Sequence, residues 1–478
     1  MNVLTRLPKF LVVVLLLAPA AAQAADQSVW PLMPYHVCVF VAVAPEAPLT
    51  SRLEGSLLAD LTDRIEAVVG APWNLTVSAP PAALRRTMLY NMLTLEAKEI
   101  PFGSPEPGKI LLVAVTRIPG GLAITARDFD VHTRTLSTAV TRRVWQVGCL
   151  CDAALDAILT AFSPLARIER LEIDGKDNVA VLRIKAAGLP TRDPKLSIPR
   201  KGDVFRPVVR TTNRDNSLKK ITHARWTLCV VEKITPEEAR ARVYTGMRGE
   251  IPSKGRGRSE SLALQVISPG GSTSVTLQSR VEPKMPLAGC DIYAYPPGKK
   301  EAVTLIGQTD RQGRVSVLST KDSLMRVLLV KNGMSLLAKL PIVPGLETQL
   351  TADMPNDDQR LQAEGFITGL QEELFDLVAR QKILSMRIRT RIEAKDLDKA
   401  GELVEELRRL PTAQQFITRM TREQEKLATT DTAIQKKINA FFGDTRKLID
   451  QHLDLHLIED LDRELRDAKL DTKNVVEK

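Results

Sequence analysis

The chain has 478 residues, 44% of them apolar and 26% charged, which is enough to fill several hydrophobic cores and excludes a disordered polypeptide. Its 67 Lys and Arg outnumber 57 Asp and Glu by 10, a balance that favours anionic partners. Five cysteines spread over this length exclude the disulfide frameworks of small secreted domains, so packing must hold the fold.

Arg6 and Lys9 precede an apolar run from Phe10 to Ala18, and Ala22-Gln23-Ala24 follows. That order of basic, apolar and small residues predicts a secretory signal peptide over residues 1–24, cut after Ala24. A spanning helix needs about 20 apolar residues. The run is shorter and no later segment does better, so the expectation is a chain exported to the periplasm or beyond, with no membrane span after cleavage. The residues at the cut are Ala24, Ala25 and Asp26, and the first cysteine is Cys38, which argues against a lipid anchor.

From residue 26 to 166 the pattern predicts an α/β domain. Val37 to Ala44 is an apolar, β-branched strand. Ser51 and Glu54 have capping-box spacing, and Leu53, Leu57, Leu61 and Ile65 then recur every four residues up to Gly70, the signature of an amphipathic helix. A strand over Trp73 to Ser78, a helix over Ala82 to Leu93 and a strand from Lys109 to Thr116 follow. Pro119-Gly120-Gly121 turns into Leu122 to Phe129, and Thr138 to Val147 leads to a helix opened by Asp152. The predicted order is β-α-β-α-β-β-β-α. The turn after the first strand, Pro45-Glu46-Ala47-Pro48, lacks the glycines and backbone donors of a phosphate loop, which disfavours nucleotide binding there. Cys38 and the Cys149/Cys151 pair could bridge the two ends of this domain; free thiols packed as small hydrophobes are the favoured alternative. With its apolar first strand, capped helix and Ala126-Arg127-Asp128-Phe129-Asp130 strand end, the segment resembles the N-terminal periplasmic domains of Tol translocation and curli secretion proteins. The resemblance implies envelope assembly or binding and transfers no functional residue.

Residues 167–280 change to short alternating strands, such as Val179 to Ile184 and Trp226 to Val231, and predict a small β-barrel-like domain. Lys201-Gly202-Asp203-Val204-Phe205 and Thr245-Gly246-Met247 to Pro252 resemble the turn-plus-strand units of small barrels in flagellar and envelope proteins. Between residues 181 and 280 there are roughly twenty Lys and Arg against about eight Asp and Glu, more than the whole chain's excess. Arg206, Arg210, Arg214, Lys219 and Lys220 form one cluster. Lys254, Arg256 and Arg258 form another inside a Gly/Ser loop. These eight are the candidate polyanion-binding residues, against the alternative of an ordinary solvated surface. An anionic envelope polymer fits them better than nucleic acid, because few aromatic residues are available to stack bases.

Residues 281–355 predict a second all-β unit. Pro286-Leu287-Ala288-Gly289-Cys290 enters a strand at Asp291 to Tyr295, and Gly307-Gln308-Thr309-Asp310 with Gly313 precedes a strand at Arg314 to Leu318. Asp310 suits an Asx turn and Gly313 a positive φ, together reversing the chain. Here the sequence resembles the carboxypeptidase regulatory-like, transthyretin-like β-sandwich, which implies a binding or spacer module without an active site.

Residues 359–478 predict helices arranged as hairpins or a coiled coil. Ile367, Leu370, Leu374, Leu377, Leu384 and Ile388 follow a three-four spacing. Leu397, Leu403 and Leu407 build a second helix that ends before Pro411. A third runs over Gln414 to Leu427, and a fourth runs unbroken from Ile434 to Leu470 on the stripe Ile449, Leu453, Leu457, Leu461 and Leu465. Such faces need a partner: one another, a second chain or another protein. His452 and His456 would sit one turn apart near Asp454, Glu459 and Asp460, but without the H-E-x-x-H glutamate they are assigned no metal. His36, His132 and His223 stand alone in sequence. No catalytic residue, cofactor or metal site is assigned. The expectation is a multidomain α+β chain acting as an exported, non-enzymatic interaction or scaffold protein, with a polyanion-binding protein and a hydrolase of non-local active site as alternatives.

Overall fold

The computed structural model describes residues 29–102, 107–175, 177–193, 196, 199–215, 217–235, 238–246, 258–268, 270–280, 282–333, 335–355, 357–453 and 456–476. The signal-peptide segment, Lys254, Arg256, Asp454 and the stretch Met247 to Pro252 lie outside the described residues. The fold is mixed α+β, with several sheets, one closed six-stranded barrel and C-terminal helices. Its chain divides into two compact units: residues up to 276, 288–331 and 336–352 in the first, and 277–287, 332–335 and 353–478 in the second. Among the described residues no helix is long and apolar enough to cross a membrane.

The first unit opens with β1 (Tyr35–Val43), α1 (Ser51–Val68), β2 (Trp73–Ser78), α2 (Ala82–Asn91), β3 (Lys109–Ile118), β4 (Gly121–Asp130), β5 (Thr135–Leu136), β6 (Val140–Val144) and α3 (Leu150–Ala161). The sheet order is β2-β1-β3-β4-β5, with β6 also on β4. β1 runs parallel to both neighbours, in register from Val37 opposite Lys109 to Val43 opposite Val115, while β3 and β4 are antiparallel. A strand buried on both faces reads as continuously apolar, and β1 is such a strand from Val37 to Val43. Val39, Val41 and Val43 pack with Leu57, Leu61 and Ile65 of α1 and Ile158 of α3 on one side. On the other, Ala42, Ile110 and Leu112 meet Leu84 and Met88 of α2. The N-cap of α1 is Thr50, whose hydroxyl accepts from the Leu53 amide at 3.2 Å, and Ser51 is the first helical residue. Glu54 does not close a capping box, because Arg85 holds its carboxylate at 2.6 and 2.8 Å.

The barrel and one appended strand comprise β7 (Leu165–Asp174), β8 (Asp177–Ile184), β9 (Val204–Thr212), β10 (Leu218–His223), β11 (Thr227–Ile234), β12 (Ala239–Thr245) and β13 (Ser259–Gln265). It closes in the order β9-β11-β12-β8-β7-β13 and back to β9, with β10 appended to β9. So few strands leave little interior: the alanines Ala166, Ala180, Ala239, Ala241 and Ala263 leave room there for Ile168, Leu182, Ile184, Phe205, Cys229 and Val231.

Further sheets are formed by β14 (Ser272–Ser279), β15 (Asp291–Tyr295), β16 (Thr304–Gln308), β17 (Arg314–Leu318), β18 (Arg326–Asn332), β19 (Ser335–Ile342) and β20 (Gln349–Met354), paired as β17-β14-β20 and β16-β15-β18-β19. The turn before β17 has the anticipated chemistry. Asp310 accepts from the amides of Gln312 and Arg314 at 2.8 Å each, and Gly313 has φ +69°. All five cysteines are free thiols, Cys229 and Cys290 buried, so no bridge joins Cys38 to Cys149 or Cys151.

The second unit holds α4 (Asp358–Glu393), α5 (Leu397–Arg408), α6 (Ala413–Lys426), α7 (Thr432–His452) and α8 (Leu457–Val476). At its entrance Arg360 is almost wholly buried, donating to Asp357 at 2.6 Å, to the Asn332 carbonyl at 2.7 Å and to Glu364. The seam read from sequence on α4 is buried within the chain's own helices. Ile367, Leu370, Leu374 and Leu377 pack with Phe416 and Met420 of α6 and Ile438 and Phe442 of α7. Leu384 and Ile388 pack with Val404 and Leu407 of α5 and Leu461 and Leu465 of α8. The unbroken helix expected from Ile434 to Leu470 is two helices. Leu453 turns extended, φ −103° and ψ 102°, and the leucine stripe is shared between the two cores.

Candidate functional site

Within the barrel, β9 and β10 make a hairpin that gathers most of the predicted basic residues. Its turn is tightened by Asp215, which accepts from the Ser217 amide at 3.0 Å and hydroxyl at 2.6 Å, while the Asn213 amide donates to the Ser217 carbonyl at 2.9 Å. The Ser217 hydroxyl and amide bonds hold Asp215 below the usual carboxylate range. Arg210 lies opposite Ile221 of β10 on one side and Glu260 of β13 on the other. Arg258, just before β13, is tied to the same turn: its guanidinium donates to the Asn213 carbonyl at 2.8 Å, and its carbonyl accepts from the Thr212 amide at 3.0 Å. Arg214, Lys219, Lys220 and Arg258 are exposed. Between residues 204 and 223 the sole acid is Asp215.

Glu260 does little to cancel this charge, because it is committed elsewhere. Arg167 holds its carboxylate at 2.6 and 3.1 Å and His132 at 3.0 Å. Burial works against the Glu260 charge, but His132 and Arg167 outweigh it and pull the pKa down to about 2. Arg206 is not part of the basic end. It sits opposite Leu264, six residues before Thr212 along β9, and pairs with Glu347 at 2.8 Å. Of the eight predicted residues, the structure thus gathers Arg210, Arg214, Lys219, Lys220 and Arg258, sets Arg206 apart, and leaves Lys254 and Arg256 outside the described residues.

Arg206 instead belongs to a second constellation that no local motif announced. With His223 and Glu347 it borders two cavities of about 390 and about 190 Å³. Trp226, Thr227, Pro341, Leu346 and Thr351 also line the larger. Burial, reinforced by the Arg206 charge and opposed by Glu347, lowers the His223 pKa, so its imidazole is neutral at pH 7. Its Nδ1 is buried without a hydrogen-bond partner among the described residues. A neutral imidazole beside an Arg–Glu pair can take a proton from a small bound molecule and, once protonated, return it.

A third cluster is wholly interior. Lys109, Asp128 and Asp130 are at most 1% exposed. The Lys109 ammonium lies 2.9 Å from Asp128 and 3.0 Å from Asp130 and also donates to the Ser163 carbonyl. Ser163 returns its amide to Asp128 at 2.8 Å, and the Thr133 amide and hydroxyl each donate to Asp130 at 2.7 Å. With its charges enclosed and paired, though Asp128 Oδ1 accepts no hydrogen bond among the described residues, this cluster ties the sheet to Ser163 just before the barrel.

The remaining histidines do not converge. His36 is exposed on β1, and His452 and His456 are separated by the break between α7 and α8, with His456 only 3.4 Å from Glu459. No group of three or more metal-ligating side chains occurs among the described residues.

No family model matches the chain, and no curated protein matches it. Among solved structures, TolB from Acinetobacter baumannii is similar over 65% of this chain and 83% of its own, at 11% identity and a TM-score of 0.19. The Bacillus anthracis TIE protein is similar over 46% of each chain, at 10% identity and a TM-score of 0.14. Superposition at those scores does not amount to a shared fold, and no property of either protein is carried over.

Proposed function

We propose that this chain is an exported, non-catalytic binding protein of the cell envelope or its surroundings, which meets an anionic polymer through the β9–β10 end of its barrel. The other β-modules act as spacers and the helices as a packing region. The observation that carries the reading is the convergence of Arg210, Arg214, Lys219, Lys220 and Arg258 around one hairpin whose sole acid is Asp215. Cations grouped on one surface act together on a polyanion, releasing counterions, so affinity should fall steeply with salt.

The test uses the full chain and heparin as a soluble polyanion. Affinity should drop at least about tenfold between about 50 and about 200 mM salt. Replacing Arg214, Lys219, Lys220 and Arg258 together with Gln should weaken binding and flatten that dependence, whereas Arg206→Gln should leave both unchanged. Equal binding by the quadruple variant would sink the proposal.

A hydrolase with a non-local active site is the second reading, favoured by one observation: Arg206, His223 and Glu347 meet at a cavity. The described walls of the larger cavity offer the hydroxyls of Thr227 and Thr351 but no serine or cysteine. Turnover of nitrophenyl esters or phosphoesters by the wild type, lost in His223→Ala, would replace the binding reading with this one.

A further inference from the structure

Helix α4 has a second face that its own unit leaves uncovered. Phe375 is 57% exposed, Ile383 51% and Met386 70%, and Ala379 is exposed between them. At about 100° per residue, Phe375, Ala379 and Met386 fall within about 40° of one another around the helix. Residues 372, 375, 379, 382 and 386 follow the alternating three-four spacing of a helix–helix seam. This seam is distinct from the buried one through Leu374, Leu377 and Leu384. Contiguous apolar surface on a helix marks an interaction site more often than chance exposure does.

Charge says which partner fits. Beside the stripe, exposed Glu372 and Asp376 lie toward its N-terminal end, and exposed Lys382, Arg387 and Arg389 toward its C-terminal end, Arg389 paired with Glu464 at 3.2 Å. Two copies laid parallel would set acid against acid and base against base. Laid antiparallel, each acidic half meets the other's basic half, and the same patch serves on both sides, as a two-fold interface requires. Ala379, small and central, lets the helices approach at the axis.

We propose that two copies of this chain associate through α4, antiparallel, about a two-fold axis near Ala379, with Phe375 of one copy against Met386 of the other. The proposal is independent of the reading of the barrel.

Sedimentation velocity or native mass measurement on the full chain at micromolar concentration should show a dimer. Phe375→Glu combined with Met386→Glu should give a monomer with unchanged circular dichroism at 222 nm. Reversing the acids (Glu372→Lys, Asp376→Lys) or the bases (Lys382→Glu, Arg387→Glu) should each weaken the dimer at least about tenfold through like-charge contact. All four reversals in one chain should restore it, because complementarity returns in the antiparallel arrangement. A monomeric wild type would overturn the proposal, as would a dimer indifferent to either reversal or a fourfold variant that stays monomeric.

Discussion

At Lys109 the chain buries an ammonium between two carboxylates, and each group is tolerable there only because the others are present. Removing one member of such a set strands the rest without water, which costs more than the set contributes net. Lys109→Met is therefore expected to destabilise the chain by about 3–5 kcal/mol in urea unfolding. A second expectation concerns pH. Burial, opposed by Lys109, pushes the Asp128 carboxyl up to about 6. From about pH 4 to about 6 the folded chain then holds a proton that the unfolded chain has released, so this group's contribution to stability falls as pH rises across that window. Burial works to lower Lys109, but Asp128 and Asp130 outweigh it and raise its pKa, so the lysine's contribution persists at neutral pH and is lost in alkali. Asp128→Asn should flatten the stability profile between about pH 4 and about 6; an unchanged slope in urea midpoints measured across that range would refute the assignment. In the sequence Asp128 and Asp130 stand at the end of an expected strand, and their spacing of two puts both on one face. It did not yield the cluster, because the pairing of Lys109 with Asp130 comes from strand register and the Ser163 contacts come from a distant turn.

Elements whose signal is local were legible. The strand Trp73–Ser78 and those at Asp291–Tyr295 and Arg314–Leu318 have the expected limits, because turn residues bracket each run of alternating or apolar side chains. Signals that choose between adjacent residues were not. Thr50 and Ser51 both offer a hydroxyl for capping α1, and the pattern pointed to Ser51 because Glu54 follows at capping-box spacing. In the fold, Arg85 from α2 takes Glu54 and Thr50 takes the cap. Thr50→Ala is accordingly expected to cost about 1 kcal/mol, and Ser51→Ala less than about 0.5 kcal/mol. Thermal or urea midpoints of the two variants separate the alternatives, and a larger loss at Ser51 would restore the sequence reading. The break between α7 and α8 was invisible for a related reason: neither proline nor glycine marks it, and the four-residue stripe runs through it. What divides the stripe is that Leu453 belongs to one core and Leu461 to another.

For the whole molecule, the sequence showed the succession of α/β, barrel and helical segments, but not the closure of the barrel, which depends on β9 meeting β13 across about fifty intervening residues. The convergence of Arg206, His223 and Glu347 escaped for the same reason. The division into two compact units has a measurable consequence. The four tryptophans, Trp30, Trp73, Trp145 and Trp226, all lie in the first unit, whereas α4 to α8 make up the helix of the second. Trp30 and Trp73 are buried, so their fluorescence reports the first core, while helical ellipticity at 222 nm is weighted toward the second. A chain divided into two compact units need not unfold in one step. The helical unit packs Leu, Ile and Phe stripes on α4, α6 and α7, and this cluster shares no residue with the one inside the barrel. Urea unfolding followed by tryptophan emission and by ellipticity should therefore give two curves with different midpoints. Substituting Phe442, fully buried in the helical core, by Ala should move the ellipticity curve to lower urea by the equivalent of about 3–5 kcal/mol and leave the emission curve in place. Coincident curves that shift together in Phe442→Ala would mean that the two units fold as one cooperative body.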